Sequence, residues 1–381
     1  MIKLIKSTFY KEKETKKALV KFILQAKQLS FGPECEKFEK NFAKWQGREG
    51  CVMVNSGSSA NLCLIQSLLN LGRLKKGDMV GFSAVTWSTN VMPLIQLGLK
   101  PIPIDVELDT LNVSPETLWK NKYNLKALFL TNLLGFCDDI ESIRQICKRK
   151  KIVLLEDNCE ATGSVYQGKK LGNFGLASTF SFYVGHHMST IEGGAVCLDD
   201  KELGNMLRIV RAHGWDRNLD FANKKELIKK YRISSEFYSR YTFYDLGYNM
   251  RPTEIQGFLG NYQLKYLDEI IDIRQNNYIK IAYESNTPLS TGHMDIISAF
   301  AIPIVCKSEK ERDELVKKCK GKIEIRPIVG GNIVNQPFYN KYAKLINTPN
   351  ADIIHKQGLY CGNNPEMTNK EIKIIIENLQ S

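Results

Sequence analysis

Two adjacent histidines follow a strand-like run near the middle of the chain. The segment STFSFYVGHHMSTIEGGAV (178–196) leads through a strand into His186 and His187, a polar turn and two glycines. An imidazole titrates near neutral pH and therefore suits proton transfer in catalysis. Adjacent histidines point in different directions and no third ligand lies at zinc spacing, so we expect no metal site. Considered alone, a structural or surface role is the more common one for such a pair.

A second segment has the composition of an anion-binding turn. In NSGSSANL (55–62) a Gly/Ser turn opens a helix, whose first N–H groups and dipole attract negative charge. Gly57 permits close approach of a ligand, and the hydroxyl of Ser58 adds a donor. Simple capping of the helix by serine is the structural alternative, and for an isolated motif it is the commoner one.

Two carboxylates form the third candidate group. The segment LLEDNCEATGS (154–164) carries Asp157 and Glu160 at the carboxyl end of a predicted strand, where ligands bind in open α/β sheets. A carboxylate in such a dry site can keep a heterocyclic nitrogen protonated, because the ion pair favours the charged form. The alternative is a turn or helix cap, which is the usual role of an isolated Asp.

The segments that must position these groups alternate between strands and helices from about residue 50 onward. Short apolar runs predict buried strands, and segments with helical spacing separate them. The alternation predicts an α/β fold with a mostly parallel mixed sheet flanked by helices. The predicted strands are 79–83, 101–106, 127–132, 152–157 and 195–198, and the predicted helices are 12–28, 34–46, 58–70, 88–98, 138–149 and 200–213.

Two features divide the chain beyond this alternation. An excursion rich in Arg and Tyr, residues 214–247, interrupts the pattern. After residue 298 a strand, a helix, a strand and a helix indicate a smaller α/β unit. We therefore predict an N-terminal arm and large domain over 1–250, with a connecting helix and a smaller C-terminal domain over 251–381.

The composition excludes several classes of protein. Hydrophobic residues make up 43% and charged residues 25%, which is ordinary for a globular chain and not for a disordered one. Lys and Arg exceed Asp and Glu by 53 to 41, but the basic residues are dispersed, which disfavours nucleic-acid binding. No run of 18 apolar residues predicts a membrane span. Ten scattered cysteines without CxxC spacing indicate a reducing cytoplasm.

The order and spacing of these motifs resemble the DegT/DnrJ/EryC1/StrS family of sugar aminotransferases, which are fold-type-I enzymes dependent on pyridoxal phosphate (PLP). The resemblance runs from 31–47 through 253–268 and thins in the C-terminal part. It implies a homodimer with shared active sites. The residues that it assigns to the cofactor are Gly57, Ser58 and Ser181 at the phosphate, Trp87 on the ring face, Asp157 at the pyridine nitrogen, Glu160 at the 3-hydroxyl, and Asn249, which reaches the phosphate from the neighbouring subunit.

One departure from the family pattern bears on function. His186 occupies the position of the Schiff-base lysine, with no gap in the segment where a lysine could be accommodated. In this respect the chain resembles the sugar 3-dehydratases, which use pyridoxamine phosphate (PMP). The resemblance implies that His186 is the catalytic base for removal of the C3 hydroxyl from a nucleotide-linked 4-keto-6-deoxy sugar, with GDP-4-keto-6-deoxymannose expected. The products would be a 3,6-dideoxy-4-keto sugar of the colitose and O-antigen type and ammonia, with glutamate regenerating PMP.

Related dehydratases that act on CDP-sugars carry an iron–sulfur cluster. Its cysteine ligands follow a His-Gly motif, which corresponds to His213-Gly214 in this chain. The excursion here has no cysteine, and none occurs between Cys197 and Cys306, so we expect no cluster. The remaining alternatives are a CDP-sugar 3-dehydratase without its own cluster and a non-catalytic member with a sensing or assembly role. The sequence leaves open whether His187 packs in the interior or takes part in the site. The expected substrate-binding candidates are His213, Arg217, Arg240 and Arg326, and the sequence does not decide which of the three arginines contacts the diphosphate.

Overall fold

Twelve strands and fifteen α-helices are formed within residues 1–287 and 289–380, the ranges that this computed structural model describes. The strands are β1 (Gly50–Val54), β2 (Met79–Ser83), β3 (Lys100–Ile104), β4 (Ala127–Thr131), β5 (Val153–Asp157), β6 (Val165–Tyr166), β7 (Lys169–Lys170), β8 (Ala177–Ser181), β9 (Gly194–Leu198), β10 (Ala301–Val305), β11 (Ile325–Pro327) and β12 (Gly358–Gly362). The helices are α1 (Glu12–Gln25), α2 (Pro33–Gln46), α3 (Gly57–Asn70), α4 (Met92–Gln96), α5 (Pro115–Lys120), α6 (Ile140–Lys150), α7 (Lys201–Arg211), α8 (Phe221–Lys230), α9 (Glu236–Ser239), α10 (Glu254–Leu264), α11 (Leu267–Glu284), α12 (Glu309–Cys319), α13 (Tyr339–Tyr342), α14 (Pro349–Gln357) and α15 (Asn369–Leu379).

The main sheet has seven strands in the order β1-β9-β8-β5-β4-β2-β3. β9 runs antiparallel to both of its neighbours, and the other adjacent pairs are parallel. The sheet is therefore mixed and mostly parallel, as the alternating sequence pattern predicts. Because β1, β8, β5, β4 and β2 run in one direction, their carboxyl ends lie along the same edge of the sheet.

Helices cover both faces of the sheet, and the burial of the strands reflects this. Every residue of β4, β8 and β9 is buried. Helix α7 is an example of this packing. Leu203, Leu207 and Val210 lie on one face of the helix and are fully buried. Burying each such side chain contributes roughly 1.5–3 kcal/mol. No helix in the described ranges has the length and apolarity needed to cross a membrane.

Three local predictions differ from the structure. β1 is not predicted, because its five residues begin only a few positions after helix α2 and give too short a pattern. The helix expected over 88–98 is a 3₁₀ turn at Ser88–Asn90 followed by the short helix α4. Pro93 restricts the backbone of the residue before it, and Gly98 at φ +79° ends the segment. The excursion contains two short helices, α8 and α9, without a single buried residue.

A second sheet of three antiparallel strands, β10-β12-β11, forms the core of the C-terminal part. One cluster of buried apolar side chains contains residues of both sheets, such as Leu128 of β4 and Ile302 of β10. The N-terminal residues also join the C-terminal part, because Ile2 pairs with Ile323 in a parallel bridge. The division of the chain at residues 250 and 251 stays a prediction.

A buried carboxylate links β5 to the loop before β8. Glu156 is fully buried and accepts hydrogen bonds from the N–H groups of Gly172, Phe174 and Gly175 at 2.6–2.7 Å. Both of its oxygens are used in this way. The charge is compensated by backbone dipoles that point at it, and the contact fixes the strand whose next residue is Asp157.

We expect Glu156→Gln to destabilise the fold. One end of the glutamine amide carries hydrogens, so at least one N–H of the 172–175 loop would face a donor and lose its partner. The unfolding free energy should fall by about 1–3 kcal/mol in urea titrations. Glu202→Gln is the control, because that carboxylate is largely exposed and pairs only with Arg73. Equal stability of the two variants would contradict the prediction.

Candidate active site

A cavity of about 660 Å³ opens at the carboxyl edge of the main sheet. The residues that follow β1, β2, β4 and β5 reach it, as the rule for ligand sites in open α/β sheets requires. Helix α11 and the C-terminal part close its other side. Of the site residues predicted from the sequence, those lining the cavity are Gly57, Ser58, Trp87, Asp157, Glu160, Ser181, His186 and Arg326.

Asp157 forms one wall of the cavity and is held entirely by donors. Its Oδ2 accepts hydrogen bonds from the side-chain amides of Asn61 at 3.1 Å and Asn90 at 2.7 Å, and its Oδ1 accepts from the N–H of Cys159 at 2.9 Å. The residue is 4% exposed. The amides orient the carboxylate and compensate its charge without a neighbouring cation, so it remains available to a positively charged group of a ligand.

The start of helix α3 forms an anion-binding cradle. Ser56 caps the helix by accepting a hydrogen bond from the N–H of Ser59 at 3.1 Å. The N–H groups of Gly57 and Ser58 lie in the first turn, so no carbonyl group of the helix accepts a hydrogen bond from them. A side chain at position 57 would not fit, because its Cβ would lie 2.6 Å from the Cβ of Ser181. Backbone donors, the helix dipole and two serine hydroxyls therefore converge where a phosphate would be bound.

His186 has a defined tautomer. Its Nδ1 lies 2.7 Å from the carbonyl oxygen of Cys159. A carbonyl only accepts, so Nδ1 carries the hydrogen and the neutral ring keeps its lone pair on Nε2. Burial lowers the pKa of His186, the Cys159 carbonyl raises it, Arg274 lowers it and Asp157 raises it. The net pKa lies below the ordinary value, and the imidazole is a neutral base at physiological pH.

His187 points away from this chemistry. It is 3% exposed, and its Nε2 donates a hydrogen bond to the carbonyl oxygen of Ser298 at 2.8 Å. Burial lowers its pKa well below the ordinary value, with Arg274 acting in the same direction. The side chain ties the turn after β8 to the chain segment that leads into β10.

Glu160 lies in the cavity wall across from the helix start. Its Oε2 accepts a hydrogen bond from the N–H of Leu134 at 3.0 Å. Burial raises its pKa to about 7; the Leu134 N–H lowers it, and the nearby charge of Asp157 adds to the increase. The carboxyl group therefore holds or releases a proton close to neutral pH.

Trp87 and Arg326 lie at the mouth of the cavity. Trp87 is 56% exposed although it is a large aromatic residue, so one face of its indole remains available to a flat ligand. Arg326 donates to Glu324 from Nε and Nη2, and Glu324 also accepts from the N–H of Leu4. The arginine is thereby held at the rim by the N-terminal segment.

Four predicted site residues do not line this cavity. Asn249 is exposed and its Oδ1 accepts from Arg251 at 3.1 Å. His213, Arg217 and Arg240 are also exposed, in the excursion or directly before it. None of the four touches the His186 cavity of its own chain, and their roles stay predictions.

Several lining residues are not among those singled out from the sequence. Arg274 is 2% exposed and reaches the cavity from the middle of helix α11. Asn61 and Asn90 hold Asp157, and the ring of Phe300 packs 5.1 Å from that of His186. Asn61 lies within the NSGSSANL motif and Asn90 lies three residues after Trp87, so the sequence carries a signal for both. Arg274 and Phe300 come from distant segments that share no pattern with the motifs.

The described ranges contain no cluster of three or more His, Cys, Asp or Glu side chains that could hold a metal ion. Nine of the ten cysteines are buried, and Cys159 is partly buried at the cavity wall. The helix start at Gly57 suits a phosphate, and the carboxylate of Asp157 suits a basic ring nitrogen.

An anion-binding helix start beside an amide-held carboxylate, at the edge of a mixed seven-stranded sheet, defines an α/β protein built to hold a phosphorylated heterocyclic cofactor. A family model matches residues 10–380 of the chain. The chain belongs to the DegT/DnrJ/EryC1/StrS aminotransferase family.

Two relatives and one solved structure show which members of the family this chain is similar to. A GDP-4-keto-6-deoxy-D-mannose 3-dehydratase of Escherichia coli O55:H7 is 37% identical over 359 residues, which cover 90% of this chain and 91% of the relative. An enzyme of the same name from Yersinia pseudotuberculosis is 36% identical over 386 residues, covering 96% and 95%. A crystal structure of GDP-4-keto-6-deoxymannose-3-dehydratase with a trapped PLP–glutamate geminal diamine has a TM-score of 0.90 at 34% identity, covering 100% of both chains.

The raised pKa of Glu160 predicts a pH dependence of stability. The pKa of a glutamate in an unfolded chain is about 4.3. Between that pH and about pH 7, the folded protein keeps a proton on Glu160 that the unfolded chain releases. The unfolding free energy must then fall as the pH rises through this window. Glu160→Gln lacks this loss, and its stability relative to the wild type should increase from pH 5 to pH 8 in urea titrations of the cofactor-free protein.

Solvent in the cavity limits the size of this effect, and the full shift corresponds to at most about 4 kcal/mol. Glu314→Gln, a change at an exposed carboxylate of helix α12, serves as the control and should follow the wild type at every pH. A Glu160→Gln curve parallel to that of the wild type would show that the carboxyl group titrates normally.

Proposed function

We propose that this chain is a PMP-dependent 3-dehydratase that acts on GDP-4-keto-6-deoxymannose. The observation that carries the proposal is His186, a neutral base in the cavity of Asp157 and the α3 helix start, where the aminotransferases of the family have a lysine. An imidazole cannot form the covalent link that a lysine makes with the cofactor, but it can still move a proton. Relatives at 36–37% identity bear the name of this activity.

The residues of the cavity fit PLP and PMP. The cradle at Gly57 leaves no room for a Cβ and suits a phosphate, with the hydroxyls of Ser58 and Ser181 as further donors. Asp157 would hold the pyridine nitrogen protonated, and the exposed indole of Trp87 would stack on the ring. When bound, PMP supplies an amine that joins the keto carbon of the sugar and a protonated ring that withdraws electrons.

Within this site, His186 performs the proton transfers. Its Nδ1–H is held by the Cys159 carbonyl, so Nε2 is the atom that accepts a proton. As imidazolium, the same side chain donates that proton to the C3 hydroxyl oxygen, which leaves as water. Glu160, with a pKa of about 7, can hold a proton in the cavity near neutral pH, and it would face the 3-hydroxyl of the cofactor ring. A positioned base of this kind contributes about 10²–10⁴-fold to the rate.

The overall reaction needs an amino donor, which we propose to be glutamate. The sugar exchanges its C3 hydroxyl for hydrogen, glutamate is oxidised to 2-oxoglutarate, and its nitrogen leaves as ammonia. One two-electron oxidation balances one two-electron reduction, so this route needs no external reductase and no iron–sulfur cluster. The lack of cysteine in the excursion supports a cluster-free route. Ten free thiols also fit a cytoplasmic location.

We further propose that the active form is a homodimer. Helices α8 and α9 bury none of their own residues, and the excursion exposes several aromatic side chains, among them Phe221 at 82% and Tyr241 at 76%. Such a patch is typical of a protein interface. In the dimer, Asn249 would approach the partner's cofactor phosphate. Candidates for the nucleotide diphosphate are Arg217, Arg240, Arg326 and His213.

The proposal is tested by incubating the purified protein with PLP, glutamate and GDP-4-keto-6-deoxymannose. Ammonia and 2-oxoglutarate should appear in equal amounts with a 3-deoxy sugar. Parallel reactions with CDP- and dTDP-linked 4-keto sugars identify the preferred nucleotide. A protein that releases no ammonia with any of these sugars, or that returns an amino sugar as its final product, is not a dehydratase.

In the same assay, His186→Asn should lower ammonia release by at least 10² while cofactor binding persists, because asparagine can still donate to the Cys159 carbonyl but cannot accept the proton. His293→Asn is the matched control, since His293 also hydrogen-bonds to a backbone carbonyl, that of Cys137 at 2.9 Å, and lies outside the cavity. Turnover that survives in His186→Asn would assign the base to another group.

Gly57→Ala tests the phosphate cradle without relying on turnover. Its Cβ would press against Ser181 and push the helix start away from the phosphate. The dissociation constant for PLP, measured by quenching of tryptophan fluorescence, should rise at least tenfold, or about 1.4 kcal/mol. Gly292→Ala is the control, because no atom lies within 4 Å of a Cβ at that position. Unchanged affinity in Gly57→Ala would put the phosphate elsewhere.

A further inference from the structure

A buried arginine lies directly behind the His186 turn. Arg274, in the middle of helix α11, is 2% exposed and lines the same cavity. Its Nη1 donates to the carbonyl oxygens of Asn363 at 2.6 Å and Phe300 at 2.9 Å, and more weakly to that of Ala299 at 3.4 Å. Its Nη2 donates to the carbonyl oxygens of His186 at 3.3 Å and Gly185 at 3.5 Å. One guanidinium group thus joins three segments that are far apart in sequence.

The partners of Arg274 are unusual for a buried charge. Within residues 1–287 and 289–380 it forms no ion pair with a carboxylate, whereas the equally buried Arg211 pairs with Glu39. Its Nε has no hydrogen-bond partner in the same ranges, and burial lowers its pKa to about 9. A buried cation that is compensated by carbonyl dipoles alone, without a carboxylate, is costly. A neutral side chain would fill this space at lower cost if packing were its sole purpose.

The carbonyl groups that Arg274 holds belong to the surroundings of His186. The turn carrying His186 is fixed at its backbone by Arg274 and at its ring by the Cys159 carbonyl. Phe300, whose carbonyl accepts from Arg274, packs its ring 5.1 Å from the imidazole. The guanidinium therefore supports both the backbone and the apolar wall of the base.

Arg274 also acts on His186 through its charge. The other titratable groups around the imidazole are Asp157 and Glu160 from the end of β5, the thiol of Cys159, Tyr183 and His187. Asp157 favours the imidazolium form, and Arg274 opposes it. Without the arginine, burial would still lower the pKa of His186, but one of the two contributions that favour the neutral ring would be lost, and more of the base would be protonated at a given pH.

We propose that Arg274 is a positioning residue for His186, which clamps the turn of the base by its fork of N–H donors and keeps the imidazole neutral by its charge. The kinetic part of this inference rests on the function proposed above, but the clamp and the charge effect concern the chain alone. A lysine has one cationic centre instead of a planar fork, so it would lose the clamp, and the same burial would favour its neutral form and weaken the charge effect as well.

The first experiment needs no cofactor and no substrate. The imidazole proton signals of the five histidines are followed by NMR from pH 5 to pH 9, with His186 assigned by comparison with His186→Asn. In Arg274→Met the pKa of His186 should rise by about one unit, and in Arg274→Lys, where burial favours the neutral amine, it should rise as well. Lys280→Met removes the same charge from the exposed surface of helix α11 and should leave the titration unchanged.

The second experiment measures turnover as a function of pH. In Arg274→Met the acid limb of kcat should move to higher pH, and kcat at its optimum should fall about tenfold with KM for the sugar nearly constant. Arg274→Lys should also show a reduced kcat, because it lacks the fork of donors. If the dehydratase activity itself is absent, the NMR titration still decides whether Arg274 controls His186.

Loss of stability alone would not support the inference. An Arg274→Met protein that unfolds at lower temperature but keeps the wild-type titration of His186 and the wild-type kcat would overturn it, because the arginine would then be purely structural. If Arg274→Met does not fold, Arg274→Lys decides: wild-type kcat in that variant would show that the fork of donors is dispensable and would overturn the clamp.

Discussion

The hydrogen bond from Nδ1 of His186 to the carbonyl oxygen of Cys159 is the contact on which the chemistry of this site depends. It fixes the tautomer, so that Nε2 is the atom with a free lone pair. It also joins the turn after β8 to the chain that leaves β5, two residues beyond Asp157. The positions of His186 and Asp157 are therefore coupled through the backbone at Cys159.

The site achieves this order largely through backbone groups. N–H donors surround Glu156, amide groups and an N–H hold Asp157, and carbonyl groups hold Arg274. Neutral dipoles compensate a buried charge without cancelling it, in contrast to the ion pair of Arg211 and Glu39. Negative and positive charges thus remain available inside the cavity for a ligand that carries a phosphate, a basic ring nitrogen and a keto sugar.

The single chain forms the cofactor half of the site more completely than the substrate half. Gly57, Asp157 and His186 converge in one cavity, whereas Arg217 and Arg240 lie on an excursion that buries little of its own surface. An exposed aromatic segment of this kind is stabilised by packing against another surface. The proposed second copy of the chain would supply that surface and bring basic residues toward a neighbouring cavity, which accounts for their distance from this one.

The sequence by itself determined the alternation of strands and helices, the mostly parallel sheet, and the motifs carrying Asp157, Gly57 and His186, because these depend on local periodicity and on residues close together in the chain. It did not reveal β1, the short form of α4, or the tautomer of His186. Above all it gave no sign of Arg274, which meets His186 from 88 residues away. Only tertiary structure decides such contacts, because the burial of a side chain depends on which distant segments pack around it.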